Sequence, residues 1–477
     1  VLLISANEAT TPYPVYPLGL AVVARALVNA GHEVRQLDVL ERGGVDPLGE
    51  AVKEAFAEFA PQMVGVSLRN IDNVDSFSCE DNWWVETARA IVQKVRKIAG
   101  ANPPKIFIGG AGFSLMPGQI LHYVGADIGI PGEGERAVVE VVERLARGEE
   151  VERLFTGGIG NAVEGDALVP GLIDPQIAKY YLGRTGMLNL QTKRGCPFSC
   201  TYCTYPRLEG NRFRVKPVGA VVDELEEMKA TLGVGEVFFT DSVFNDAAGN
   251  YLELAEELLR REVNIRWCAF FRPAGLGTEE LALLKRSGLF AMELGTDAAS
   301  DATLKGLDKG FTFDEVRRVN EAAVVNHIPA AHFVIFGGPD ETEATVEEGL
   351  ENLASLERSV VFAFSGIRVL PGAPLHHRAV AEGLVDGDDD LLKPVFYQSP
   401  QVDREWMNAR IEESFHGRRD RIFPPEEGQE RLSVMERFGY KGLLWDQLVA
   451  FGDRPRRGRA ARKKAACKKA AQEKAGS

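Results

Sequence analysis

The sequence predicts an α/β protein made of a doubly wound domain, an open parallel barrel and a small helical cap. Short buried apolar runs alternate with helical patterns five times over residues 1–150 and six times over residues 186–395. Such alternation is the signature of parallel sheets joined by helical crossovers. Beyond residue 395 the alternation stops and large apolar residues recur without strand character.

In the first domain the strand-like runs are 1–5, 33–39, 63–68, 105–109 and 127–130. Helical spacing links Trp84, Ala88, Ile91, Val95 and Ile98, and again Val138, Val141, Val142 and Leu145. A doubly wound domain binds its ligand at the carboxyl ends of its strands. Here those ends lead into the loops 6–18, 69–81, 110–117 and 132–135. Glycines at 109, 110, 112, 132 and 134 would let a ligand approach the backbone closely. No Gly-x-Gly-x-x-Gly follows the first strand, which argues against a dinucleotide.

Residues 151–185 lose the pattern, are rich in glycine and read as an interdomain connection. The second alternation places strands at 187–192, 236–240, 265–270, 290–295, 332–336 and 362–370. Helices are expected at 221–232, 251–261, 279–287, 314–326 and 341–356. Catalytic residues of a parallel barrel sit at the strand carboxyl ends. Residues 396–453, with Trp406, Met407, Ile411, Phe415 and later Leu443, Leu444 and Trp445, read as a helical cap. Residues 454–477 carry ten Lys and Arg against one Glu and read as a disordered basic tail.

A formal net charge of −14 argues against a nucleic-acid-binding body or a polyanionic substrate. No run of 18 apolar residues is present, so no transmembrane segment is expected. Residues 1–5 are too short, and lack the basic flank, for a signal peptide, and read as a strand. Six cysteines, three of them clustered, suit a reducing, cytoplasmic setting better than a disulfide scaffold.

Those three are the most informative residues of the chain. In Gln-Thr-Lys-Arg-Gly-Cys-Pro-Phe-Ser-Cys-Thr-Tyr-Cys, residues 191–203, a single loop can turn Cys196, Cys200 and Cys203 toward one point. Soft thiolates suit iron–sulfur clusters. A structural zinc site would want a fourth ligand, and no histidine lies nearby in sequence. Cys79, Cys268 and Cys467 read as bystanders, although the loop that carries Cys79 should overhang the interdomain cleft. No sequence feature selects a proton carrier among His327, His332, His376 and His377.

The CxxxCxxC run, with Tyr202 before its last cysteine, resembles the cluster loop of the radical S-adenosylmethionine (SAM) superfamily. The resemblance implies a partial (β/α)6 barrel and a 4Fe-4S cluster on Cys196, Cys200 and Cys203. The open iron of that cluster binds SAM and cleaves it to a 5′-deoxyadenosyl radical. By the same resemblance, Tyr202 packs near the adenine, and Thr240 and Asp241 meet the methionine amino group. Pro371 opens a loop contacting SAM. Glu293 lies near the ribose or else neutralises Arg272, itself a candidate SAM contact.

A second resemblance covers the first domain. The Pro17-Leu18-Gly19-Leu20 helix start, Gly31-His32-Glu33-Val34, Gly109-Gly110 and Pro131-Gly132-Glu133-Gly134-Glu135 are similar to Rossmann-like cobalamin-binding domains fused to radical SAM barrels. Phe336 to Thr342 is similar to a turn of the same family. The resemblance implies cobalamin bound by Pro17, Leu18, Ser67, Leu68, Arg69, Gly109, Gly110, Gly132, Glu133 and Gly134. The Asp-x-His-x-x-Gly motif that supplies a cobalt ligand is absent, so cobalamin would bind without a histidine. Ser67, Leu68 or Arg69 would then face the lower side of cobalt; an arginine there would disfavour a sixth ligand, unless Arg69 makes a surface ion pair instead.

The implied activity is a cobalamin-dependent radical SAM methylation of an unactivated carbon in a small molecule, lipid or natural product, through methylcobalamin. The same resemblance implies an external electron donor such as flavodoxin or ferredoxin. Two alternatives are a radical cyclase or rearrangement enzyme using the same cofactors, and a non-catalytic corrinoid-binding protein. The cluster loop argues against the last.

Overall fold

The computed structural model describes residues 1–10, 12–158 and 162–449. The basic tail therefore lies outside the described residues. Five parallel strands form the first sheet: β1 (Leu2–Ser5), β2 (Arg35–Asp38), β3 (Met63–Ser67), β4 (Lys105–Gly109) and β5 (Ile128–Ile130), in the order 2-1-3-4-5. β1, β3 and β5 are buried from end to end or nearly so, as expected of strands with helices on both faces. The crevice at the switch between β1 and β3 opens at their carboxyl ends, beside Ser67, Leu68 and Arg69.

The second sheet begins with β6 (Met187–Leu190). A short antiparallel ribbon, β7 (Lys193–Arg194) with β8 (Arg214–Val215), follows and brackets the cysteine loop. The parallel series continues with β9 (Glu236–Phe239), β10 (Arg266–Phe271), β11 (Met292–Asp297), β12 (Ala330–Phe336) and β13 (Ser359–Ser365). A second ribbon joins β14 (Ile367–Arg368) to β15 (Phe396–Tyr397). Finally β16 (Arg421–Ile422) pairs in parallel with β13, giving the order 16-13-12-11-10-9-6. The barrel is open, with edges at β6 and β16.

Three expectations need correction. Residues 362–370 are not one strand: Gly366 adopts a φ of +77° and turns the chain from β13 into the β14 ribbon. The connection 151–185 contains the helix Pro175–Arg184, capped by the Asp174 carboxylate on Gln176 and Ile177. Its Ile177, Ala178 and Tyr181 enter the barrel core. The cap holds the helices Arg404–Phe415 and Pro425–Arg437 but also supplies β16, so it completes the sheet as well as covering it.

The domains share apolar cores. One runs from Leu2, Val66 and Trp83 of the first domain to Val334, Phe336 and Tyr397 of the barrel. At a second contact Tyr16 meets Tyr181 edge to face, ring centroids 5.6 Å apart. The barrel lumen is floored by Tyr13 from the first domain and by Leu443, Leu444 and Trp445 from the cap. No helix among the described residues is long and apolar enough to cross a membrane.

Gly110 and Gly112 show why the first-domain loops hold their course. A Cβ at Gly110 would lie 2.5 Å from the Leu68 carbonyl oxygen, and one at Gly112 would lie 2.9 Å from that of Arg69. Their closeness serves the β3 loop, whose Leu68 oxygen accepts the Gly112 N–H at 3.0 Å. Gly110 also sits at φ +104°. Gly110→Ala should cost about 1–3 kcal/mol and lower the melting temperature, whereas Gly118→Ala, with nothing within 4 Å, should not. Equal melting of both variants would contradict the packing argument.

Candidate active site

The cysteine loop lies at the mouth of the barrel. Cys196 is buried, while Cys200 and Cys203 are half-buried. The Cys203 N–H donates to the Cys200 carbonyl at 3.0 Å, and the Cys196 N–H to Gly210 at 3.0 Å, so the loop closes on itself. Burial pushes the Cys203 thiol up to about 12, and the neighbouring Cys200 and Cys196 add to the shift. Lys309 stands beside Cys200 and opposes the rise that burial causes there. Among the described residues no group of three His, Cys, Asp or Glu side chains surrounds a single ion. A cluster, which takes each thiolate on a different iron, fits this donor set.

Around the loop the SAM candidates separate into two groups. Tyr202 donates its hydroxyl to Asp297 Oδ2 at 2.6 Å, and Lys309 makes an ion pair with the same carboxylate. Arg272 donates to the carbonyls of Lys309 and Gly310 at 2.7 and 2.8 Å, and its guanidinium lies 4.6 Å from the Phe198 ring centre. The Pro371 carbonyl accepts from Arg207, on the helix that follows the cysteines, at 2.7 Å. These residues gather at the mouth.

Thr240, Asp241 and Glu293 do other work. The Thr240 hydroxyl donates to the Leu190 carbonyl at 3.3 Å. Asp241 accepts from the Thr192 N–H at 2.7 Å, the Thr192 hydroxyl and the Lys193 N–H. Its carboxylate ties β9 to β6, and both oxygens are occupied without an amino group. Glu293 does not neutralise Arg272. Its Oε1 accepts from Tyr13 at 3.1 Å and from Trp445 Nε1 at 3.0 Å, deep in the lumen. Burial raises its carboxyl to about 7. His332 lies behind the barrel wall, bonded to Thr296 and Asn320, and burial lowers it to about 3.

In the first domain Pro17 precedes the helix Leu18–Asn29 at the end of the β1 loop. Ser67 ends β3, Gly109 ends β4, and Gly110 starts the helix Ala111–Leu115. Gly132 follows β5 at φ +84°, donating its N–H to Ser114 at 2.9 Å. Gly134 packs on Val23. Arg69 forms no ion pair among the described residues, which removes the surface-pair alternative. Its guanidinium reaches Asn70 Oδ1 at 3.2 Å and the Val15 carbonyl at 3.5 Å, and burial lowers its pKa.

Glu133 corrects the sequence reading most. It was expected among the cobalamin contacts, but its carboxylate binds protein. Arg214 meets it through both terminal nitrogens, Arg194 Nη1 lies at 3.4 Å, and the Val163 N–H donates at 2.7 Å. Arg194 also pairs with Glu135 at 2.5 Å. Both arginines belong to the ribbon that brackets the cysteines. The Pro-Gly-Glu-Gly-Glu turn thus fastens the β5 end of the first domain to the cluster loop. Nearby, the helix Tyr205–Glu209 packs on the helix Ala111–Leu115. Tyr205 is 44% exposed although surrounded by the fold. It stands on the helix that carries the end of the cysteine loop onto the first domain, and burial raises its hydroxyl pKa.

Sequence reasoning missed Tyr13, Lys309, Asp297, Arg194, Arg214 and Tyr205. Arg194, Tyr205 and Arg214, in or just after the cysteine motif, carried a local signal; Tyr13, Asp297 and Lys309 carried none.

Residues 4–142 match the B12 binding domain model, and residues 190–353 match the radical SAM superfamily model. The chain belongs to the cobalamin-dependent radical SAM enzymes. It is 24% identical to a tryptophan 2-C-methyltransferase of Streptomyces laurentii over 78% of this chain and 73% of that one. It is 23% identical to a cytidylyl-2-hydroxyethylphosphonate methyltransferase of Streptomyces wedmorensis over 87% and 89%. Its fold matches that of the radical SAM methyltransferase TsrM of Kitasatospora setae, solved with tryptophan and a SAM analogue. The TM-score is 0.79 at 24% identity, covering 98% of this chain and 99% of that one.

Two variants probe the site. Alanine at Cys196, Cys200 and Cys203 together should abolish the iron, sulfide and charge-transfer absorbance of anaerobically reconstituted protein. Retention of all three would disprove the ligand assignment. Glu133→Gln leaves two arginines facing a neutral amide, and breaking a buried pair costs about 3–5 kcal/mol, so the melting temperature should fall. Unchanged melting with loss of cobalamin retention would return Glu133 to the corrinoid site.

Proposed function

We propose that this enzyme transfers a methyl group from cobalamin to an unactivated carbon of a small molecule held in the chamber between the two domains. The observation that carries this reading is that the ribbon bracketing Cys196, Cys200 and Cys203 is fastened to the β5 end of the first domain through Glu133 and Glu135, with the helix Tyr205–Glu209 packed on the helix Ala111–Leu115. When bound, the cluster and SAM supply a carbon-centred radical and cobalamin supplies the methyl group.

The protein's part is to bind, align and shield. Tyr202, Arg272 and Pro371 border the SAM site at the barrel mouth. Pro17, Leu18, Ser67, Leu68, Gly109, Gly110, Gly132 and Gly134 form the corrinoid face through backbone and small side chains. Arg69, just beyond β3, would set a cation beside the bound corrinoid. The loop after β3 closes the chamber: Ser76 donates to the Ser365 carbonyl at 2.5 Å, and Asp72 pairs with the buried Arg368 at 2.9 Å. The relatives named for tryptophan and a phosphonate nucleotide both methylate small molecules, which supports that substrate class. An acidic, cluster-bearing protein of this kind works in the cytoplasm and draws electrons from an external flavodoxin or ferredoxin.

The test is anaerobic turnover of reconstituted enzyme with methyl-deuterated SAM, cobalamin and candidate substrates, followed by mass spectrometry. Label in the product, with S-adenosylhomocysteine and 5′-deoxyadenosine both formed, is the expected result. Product carrying no label, formed with 5′-deoxyadenosine alone, would favour the cyclase or rearrangement reading.

A further inference from the structure

Resting on that reading, we infer that the substrate is a planar apolar molecule whose buried end presents one hydrogen-bond donor to Glu293 Oε2. Glu293 sits on β11, and alternate residues of a barrel strand face inward. Asp297, four residues on, stands at the mouth with Tyr202. Four residues of strand span about 13 Å, so a small ring system set end on would reach from Glu293 to the mouth, where the interdomain site begins.

The walls decide the class. Phe238 and Phe270 meet edge to face at 5.0 Å, and Tyr13 lies 5.8 Å from Phe238. On the opposite wall Phe333 and Phe362 stack at 5.2 Å. Phe270 is 39% exposed although its strand lies inside the sheet and its neighbours on the same face, Cys268 and Phe238, are buried. That exposure is to the lumen. An aromatic ring left uncovered against other rings offers an edge-to-face or stacked contact to a flat guest.

Glu293 is the polar feature at the bottom. Both of its protein donors, the Tyr13 hydroxyl and Trp445 Nε1, converge on Oε1. Neither donor reaches Oε2, which accepts no hydrogen bond from any described residue. The residue as a whole is 1% exposed, so bulk water does not serve that oxygen. An acceptor this deeply desolvated and left unpaired is costly, and a guest N–H or O–H relieves the cost. Tyr13 comes from the first domain and Trp445 from the cap, so the acceptor is aimed by three segments of the chain. Glu293 acts here as a substrate-orienting residue at the floor, away from the SAM position the sequence suggested.

The probes are indole and benzofuran, flat bicycles of nearly equal shape that differ in one N–H. Each is titrated anaerobically into full-length reconstituted enzyme at pH 8, above the value of about 7 to which burial raises Glu293. Native enzyme should bind indole about tenfold more tightly, as expected for a hydrogen bond to a charged acceptor. Glu293→Ala should bind the two equally. If that variant fails to fold, Phe270→Ala, which alters an uncovered side chain, should weaken both probes while keeping their ratio. Equal affinity for the two probes in native enzyme, or a ratio lost in Phe270→Ala, overturns the inference. Indole preference without label transfer in the turnover assay would instead overturn the reaction and leave this site standing.

Discussion

The carboxylate of Glu133 is the interaction on which the rest of the active site depends. It receives Arg214 in a two-pronged contact and Arg194 beside it, and both come from the ribbon that frames the cysteines. A radical enzyme with two cofactor domains must hold their reacting centres in register. Two arginines on one buried carboxylate give direction as well as attraction, because the planar guanidinium matches the carboxylate edge. Apolar contact between the domains supplies area, but area is non-directional. Further cross-domain links, among them Asp72 with Arg368 and Tyr181 with Asp38 at 3.2 Å, support the same register.

Much of the fold was legible in the sequence because it is local. Strand runs of buried apolar residues and helices at 3.6 spacing fell within a few residues of their observed places in both domains. The failures also have local causes. Residues 360–370 are apolar apart from Ser365, Gly366 and the single cation Arg368, and the backbone angle at the glycine separates β13 from β14. A two-residue strand such as β16 has too little pattern to be read at all.

The site was legible in its thiols and less so in its carboxylates. Three cysteines within eight residues announce themselves. A carboxylate at a strand end announces only that something polar is near. Glu133, Asp241 and Glu293 were each read as ligand contacts, and each bonds to protein partners far along the chain. Glu293 meets Tyr13 across 280 residues and Trp445 across 152. Such pairings are set by how the domains close, which composition and periodicity do not encode. Gly110 and Gly112 have a second task that the sequence does not announce: they lie against the protein's own β3 loop.

The late position of β16 bears on how the protein is made. Its parallel partner β13 ends at Ser365, yet the strand that covers it begins at Arg421. On the ribosome, the free backbone donors and acceptors of β13 therefore stay uncovered while some fifty-five more residues are synthesised. An open sheet edge invites pairing with another nascent chain. During synthesis, then, the hazard lies in the interval before the cap arrives, and the yield of intact enzyme should depend on chaperones and translation pace over that interval.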